Sequence, residues 1–301
     1  MDLPATVPLC GIQARRADAS EHEYYYFVFI RVYPLPAIAL AQARRAGWFP
    51  LSPFLFPVSY FLYVFMMNEY IHSEEDQLIW EFFKCSKDGF FIEVGAGDPV
   101  NLSVSYHLEV NGWKGILVEP QPELANKLKN NRKAKVWSVA CGSPQDKGEA
   151  DFFVAGEFSS LKKHVAFTDV IYSDKIVVPI ITIDEILYEE GNPEIDFLSI
   201  DVEGVELNVL KGIDLLKNRP RLIFIEYHVL SLDIHHYLLQ NRYKLVKRTG
   251  VNNWYIPIEN EYDLKLMDRL KLFRKMYLGT PLRKLQFVIK KYTKHRKFRN
   301  Q

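Results

Sequence analysis

The apolar positions of this chain fall into short runs separated by amphipathic stretches, from about residue 89 to residue 256. Gly89–Val94 (GFFIEV), with glycine before and after its apolar residues, reads as a strand buried on both faces of a parallel sheet. Gly115–Val118 (GILV), Asp196–Ile200 (DFLSI) and Arg221–Glu226 (RLIFIE) repeat the pattern, and a third strand is expected over Lys135–Ala140. Shorter strands are expected over Asp151–Val154 and Lys175–Ile180. Helical spacing predicts helices from Tyr106 through Glu109, over Pro122–Asn130 with Leu124 and Leu128 on one face, and over Ile183–Glu189, Val205–Leu216 and Leu230–Gln240. Tyr243–Lys247 and Trp254–Ile256 flank Thr249-Gly250, the mark of an antiparallel hairpin. Strand–helix alternation of this kind predicts an α/β fold: a mainly parallel seven-stranded sheet, helices on both faces, and a C-terminal antiparallel hairpin.

The flanks read differently. Residues 1–68 form an apolar extension in which the nineteen positions Phe49–Met67 carry no charge. That length approaches a membrane span, but Pro50, Pro53 and Pro57 make a continuous helix costly. Either a poor membrane anchor, an ill-ordered extension or sequence upstream of a start at Met66 or Met67 fits it. Residues 69–260 hold the alternating pattern. Residues 261–301 form a basic, helical tail, with eight Lys or Arg and no acid from Pro281 onward. There Leu282, Leu285, Val288 and Ile289 share one helical face, as in membrane-surface helices. Apolar residues make up 48% and the net charge is +1, which affords a sizeable core and gives no global reason to expect a nucleic-acid partner. Cys10, Cys85 and Cys141 are too few and too scattered for a disulfide framework or a zinc site, and fit a reducing, cytoplasmic compartment.

Candidate chemistry collects at strand ends, where open α/β sheets bind ligands. Glu93, Gly95, Ala96, Gly97 and Asp98 follow the first strand, and the glycines allow a sharp turn and close approach of a ligand. Glu119, beside Pro120, ends the second strand, where a carboxylate can accept hydrogen bonds from both hydroxyls of a ribose. Ala140 ends the third. A dinucleotide would want a third glycine where Val100 stands after Pro99, so the pyrophosphate grip is incomplete. S-adenosylmethionine needs no such grip and is the expected cofactor.

With these motifs in hand, residues 73–258 resemble the FkbM family of methyltransferases. The resemblance rests on Ser73–Gln77, Phe91–Asp98 (FIEVGAGD), Ser103–Glu109, Trp113–Pro120 (WKGILVEP), and above all Asp196–Glu206 (DFLSIDVEGVE) continuing to Val209–Gly212. It implies a Rossmann-like methyltransferase fold, S-adenosylmethionine, and O-methylation, often of sugars or natural-product hydroxyls. Two positions depart from the family pattern: Pro99 where it usually has glycine and Val104 where it has asparagine.

A hydroxyl acceptor gains from a group that removes its proton. The candidates are Asp201 and Glu203 after one strand and Glu226 and His228 after the next, which parallel neighbours would bring together. Asp201 or His228 is expected as general base with Glu203 orienting the substrate. Alternatively Asp201 and Glu226, with His228, hold a divalent cation, magnesium or manganese. Ser159 and Ser160, in the insert before the fourth main strand, are expected to line the acceptor pocket, and mid-helix His235 and His236 to be surface residues. The expected partner is a small-molecule or glycan substrate. Membrane-surface contact through the tail or residues 49–67, with a protein or lipid acceptor, is the second reading, and a non-catalytic binding module the third.

Overall fold

The structure, a computed structural model, describes residues 73–156, 158–162, 170–227 and 231–285, all within one compact unit spanning Tyr70–Gln301. The apolar extension, Cys10, His228, Val288 and Ile289 lie outside the described residues. Among the described residues no helix is long and apolar enough to cross a membrane.

Helix α1 (Glu74–Phe82) opens with a reciprocal cap between Ser73 and Asp76 and places three acids in its first turn. The alternating core then follows: β1 (Phe90–Val94), α2 (Tyr106–Val110), β2 (Lys114–Val118), α3 (Pro122–Asn131), β3 (Lys135–Trp137), β4 (Ala140–Cys141), β5 (Gly148–Val154), β6 (Asp174–Ile181) and α4 (Ile183–Glu189). The last elements are β7 (Phe197–Ile200), α5 (Glu206–Leu210), β8 (Leu222–Glu226), α6 (Asp233–Gln240), β9 (Tyr243–Thr249), β10 (Asn252–Pro257) and α7 (Leu266–Phe273), with a π-helical turn over Arg274–Leu278.

Seven strands form one sheet in the order β3-β2-β1-β7-β8-β10-β9. The first five run parallel, and β10 pairs antiparallel with both β8 and β9. Ile92, Val94, Ile116, Val118, Leu198, Ile200, Ile223 and Ile225 are all but inaccessible and join one core with α4 and α6. Burial on both faces is why these strands read as continuous apolar runs. The strand order reverses between β1 and β7, so a crevice opens at their carboxyl ends.

Two sequence expectations need correction. The strand expected over Lys135–Ala140 is two strands. After Trp137 the ladder partner changes, and Ala140 and Cys141 pair with Ile180 and Ile181 of β6 in a separate three-stranded sheet, β4-β6-β5. The helix expected over Val205–Leu216 ends at Leu210, because Asp214 makes a competing turn: its Oδ1 accepts from the amides of Leu216 (3.0 Å) and Lys217 (3.1 Å).

Candidate functional site

The loop after β1 and the turn after β7 are in backbone contact. Asp201 donates its amide to the Val94 carbonyl at 3.0 Å. At Gly95 (φ +85°) a Cβ would sit 1.7 Å from the Asp201 carbonyl oxygen, so no other residue fits. Gly97 (φ +51°) is the opposite case: nothing lies within 4 Å of where its Cβ would be. Its amide donates to Glu119 Oε2 at 3.0 Å, while Glu119 Oε1 accepts from the Gln121 amide at 2.8 Å. Burial raises the Glu119 carboxyl above its ordinary range, against these hydrogen bonds.

Pro99 is accommodated without an amide. Asp98 Oδ1 takes the next two, from Val100 at 2.9 Å and Asn101 at 2.7 Å, and the Pro99 carbonyl accepts from Arg132 Nη1 at 3.0 Å. Glu93 is buried beneath this loop and is engaged by the fold itself. It accepts from Ser103 Oγ (2.8 Å), the Val104 amide (3.1 Å) and Ser105 Oγ, and Arg132 reaches both serines. Burial outweighs the Arg132 charge and raises the Glu93 pKa. It ties the segment entering α2 to β1.

The acids after β7 and β8 converge. One carboxylate oxygen each of Asp201, Glu203 and Glu226 lies within 4.8 Å of the others. Asp201 is open to solvent, yet protein surrounds the carboxyl. Burial first, then Glu226, Glu206 and Glu93, hold it well above the usual carboxylate range. It shares a hydrogen bond with Glu226, which burial and then Glu203 push up to about 7. Like charges this close cannot all ionise at neutral pH, so the pair retains a proton. Glu203 adopts the left-handed region (φ +57°), a strained conformation for a non-glycine residue. Ser160 holds that turn in place, donating from Oγ to the Glu203 carbonyl at 2.8 Å.

A cavity of about 770 Å³ joins these features. Every residue expected to bind the cofactor lines it, from Glu93 through Gly95–Asp98, Glu119 and Pro120 to Ala140, and so do Asp201, Glu203 and Ser159. Ser160 and Glu226 stand behind its wall rather than on it. Ser159 Oγ is used locally, accepting from the Ala155 amide and donating to the Gly156 carbonyl. Among the described lining residues six are acids, with Glu75 the sixth, and none is Lys, Arg or His.

Glu75 escaped the sequence reading. It comes from α1 and accepts from Asn252 Nδ2 and Thr249 Oγ1 of the hairpin, a meeting with no local signal. Phe152 and Phe158, which add apolar wall from β5 and the loop beyond it, were also missed. His235 is a correction. It is not on the surface but buried between Tyr255 and Tyr277, each hydroxyl 3.0 Å from a ring nitrogen, and burial lowers its pKa to about 4. Cys141 is buried, with its thiol pushed up to about 12.

These residues fit S-adenosylmethionine. The open space at Gly97 admits a nucleoside beside Glu119, and an acidic cavity with no cation among its described lining residues suits a sulfonium and an ammonium while disfavouring a dinucleotide's phosphates. Fold and cavity together define a Rossmann-like nucleoside-cofactor site of the methyltransferase type. The model of the FkbM methyltransferase domain matches residues 93–245, just over half of the chain; the protein belongs to that family and is an S-adenosylmethionine-dependent methyltransferase. No curated protein sequence matches it. Among solved structures, a methyltransferase from Geobacter sulfurreducens aligns at 9% identity and TM-score 0.35, over 72% of this chain and 95% of that one. Precorrin-6y C5,15-methyltransferase from Geobacter metallireducens GS-15 aligns at 13% identity and TM-score 0.33, over 63% and 90%. The N-terminal domain of human METTL16 in complex with SAH aligns at 16% identity and TM-score 0.32, over 69% and 70%.

Proposed function

We propose that this methyltransferase acts on a hydroxyl oxygen of a glycan or glycosylated small molecule. The observation that carries the reading is the cluster of Asp201, Glu203 and Glu226 beside the glycine loop, with one carboxyl poised at about 7. When bound, the cofactor supplies an already activated methyl group, so alignment and deprotonation of the acceptor are what remain for the chain. An alcohol is a poor nucleophile until a base takes its proton, and a base poised near the working pH does so best. Asp201 reaches the cavity and receives that proton, Glu226 shares it from behind, and Glu203 orients the acceptor hydroxyl. A neutral, hydroxyl-rich acceptor suits these carboxylates, which would repel a phosphate or a carboxylate.

A second arrangement rests on the same convergence: the three carboxylates could hold magnesium or manganese, which would lower the hydroxyl pKa directly. Turnover of a panel of sugars and glycosides, before and after chelation, separates the two. Asp201→Asn should cost on the order of 10²- to 10⁴-fold in kcat under either arrangement. Wild-type turnover in a folded Asp201→Asn protein would overturn both.

A further inference from the structure

The helical tail carries two faces. From Leu266 to Leu285 the chain is helical, interrupted by the π-turn over Arg274–Leu278. One side faces the domain with Met276 and Thr280, spaced four apart, and half-buried Leu272 one turn before them. Met276 and Thr280 are buried, Met276 Sδ lies 3.8 Å from Asn253 Nδ2, and neighbouring Tyr277 meets His235. The other side presents Leu266, Leu270, Phe273, Leu278, Leu282 and Leu285, each more than half exposed. Water-facing apolar side chains in such a row mark an interaction surface.

The π-turn makes that row continuous. It closes i→i+5 and so takes up about one extra residue. Phe273 and Leu278, five apart, therefore fall on one line. In an uninterrupted α-helix Leu278, Leu282 and Leu285 would be rotated by about 100° toward the domain. By helical position Lys271 and Lys275 border the apolar row on one margin and Arg269 and Lys284 border it on the other, while Arg274 stands within it, one turn from both Leu270 and Leu278, its long stem able to carry the charge to the headgroups. From Lys265 to Gln301 the sequence holds thirteen Lys or Arg and one acid, Asp268, which pairs with Lys271. The preceding 264 residues hold 25 basic and 36 acidic residues, so the charge is segregated.

We propose that this helix lies on an anionic lipid bilayer, its leucine row in the acyl boundary and its cations among the headgroups. An apolar row flanked on both margins by Lys and Arg is the arrangement of an interfacial helix. A second copy fits less well, since two such tails would bring like charges together. The acidic body is repelled by the same surface, which orients the molecule tail-first. Because Met276 packs on Asn253, next to cavity-lining Asn252, the bilayer contact is anchored beside the methyl-transfer cavity. The inference stands whatever the methyl acceptor is.

The test is sedimentation of the full chain with vesicles of phosphatidylcholine alone or mixed with phosphatidylserine, at low and high salt. Binding is expected only with phosphatidylserine and should weaken with salt. Leu270→Glu with Leu278→Glu touches only exposed positions. It should lower partitioning by roughly 100-fold while circular dichroism and S-adenosylmethionine binding stay unchanged. Equal binding by the double variant would overturn the proposal and move the contact to residues 1–69 or elsewhere. So would no binding by the wild type. A wild-type dimer in sedimentation velocity that the double variant abolishes would assign the face to a second copy instead.

Discussion

Replacing Glu226 by glutamine removes one negative charge from a cluster that cannot ionise fully, and should stabilise the fold while impairing turnover. The structure raises the Glu226 carboxyl from 4.5 to about 7. At about 1.4 kcal/mol per pH unit, that is roughly 3 kcal/mol charged against the folded state when Glu226 is ionised. Glu226 is only half-buried, and solvent screening brings the figure to about 2 kcal/mol. A carboxyl whose folded pKa is raised contributes stability that is complete below its unfolded pKa and lost as pH rises through the folded one. Glu226→Gln should therefore gain about 2 kcal/mol at pH 8, a rise of about 4–8 °C in Tm, and nothing below about pH 4.5. Urea unfolding at pH 8 and pH 4.5, beside an initial-rate assay, measures both effects. Equal stability of the two proteins at pH 8, or an equal gain at both pH values, would refute the reasoning. Either result would mean that burial and the neighbouring carboxylates do not penalise the ionised form of Glu226 in solution.

Turnover should climb as pH rises through about 7, as the Asp201–Glu226 pair gives up its shared proton, and a flat profile from pH 5 to 9 would remove it as the base. Gly95→Ala should fail to fold, costing more than about 4 kcal/mol through its clash with the Asp201 carbonyl. Gly97→Ala has room and should fold at a cost of about 1–2 kcal/mol, yet lose at least about tenfold in S-adenosylmethionine affinity by calorimetry. Glu119→Ala should abolish micromolar binding of the same cofactor in the same titration. His235 is held neutral, so its contribution is complete above about 6.5 and lost as pH falls toward about 4; His235→Gln should flatten that part of the acid limb in a pH-dependent unfolding series.

The parallel sheet was legible because doubly buried strands leave unbroken apolar runs, and β1, β2, β7 and β8 each appear within a residue or so of where those runs lie. The convergence of Asp201, Glu203 and Glu226 was legible for the same reason: β7 and β8 are neighbours, Asp201 and Glu203 follow the end of β7, and Glu226 closes β8. What the chain hides is whatever depends on a partner far along it. The exchange of ladder partners after Trp137 is decided by β6, some forty residues on, and not by anything between Lys135 and Cys141. His235 looks like a polar helix residue until Tyr255 and Tyr277 close over it. The glycines at 95 and 97 read alike, yet a Cβ at the first would meet backbone and at the second would stand in open space. The tail's leucines could be counted, but only the π-turn aligns them.

The walls of the cavity differ in what holds them. Its floor belongs to the seven-stranded sheet and the large core, whereas Phe152, Phe158, Ser159 and Leu161 hang from the small β4-β6-β5 sheet. That sheet has a core of its own, made of Ala140, Phe152, Val178 and Ile180. A unit resting on four buried side chains opens at a fraction of the free energy of global unfolding. The cavity thus has a lightly held side and a firmly held side. Amide exchange should find β5 and β6 breathing while β1 and β7 stay closed, which would let an acceptor come and go without disturbing the backbone contact between Gly95 and Asp201.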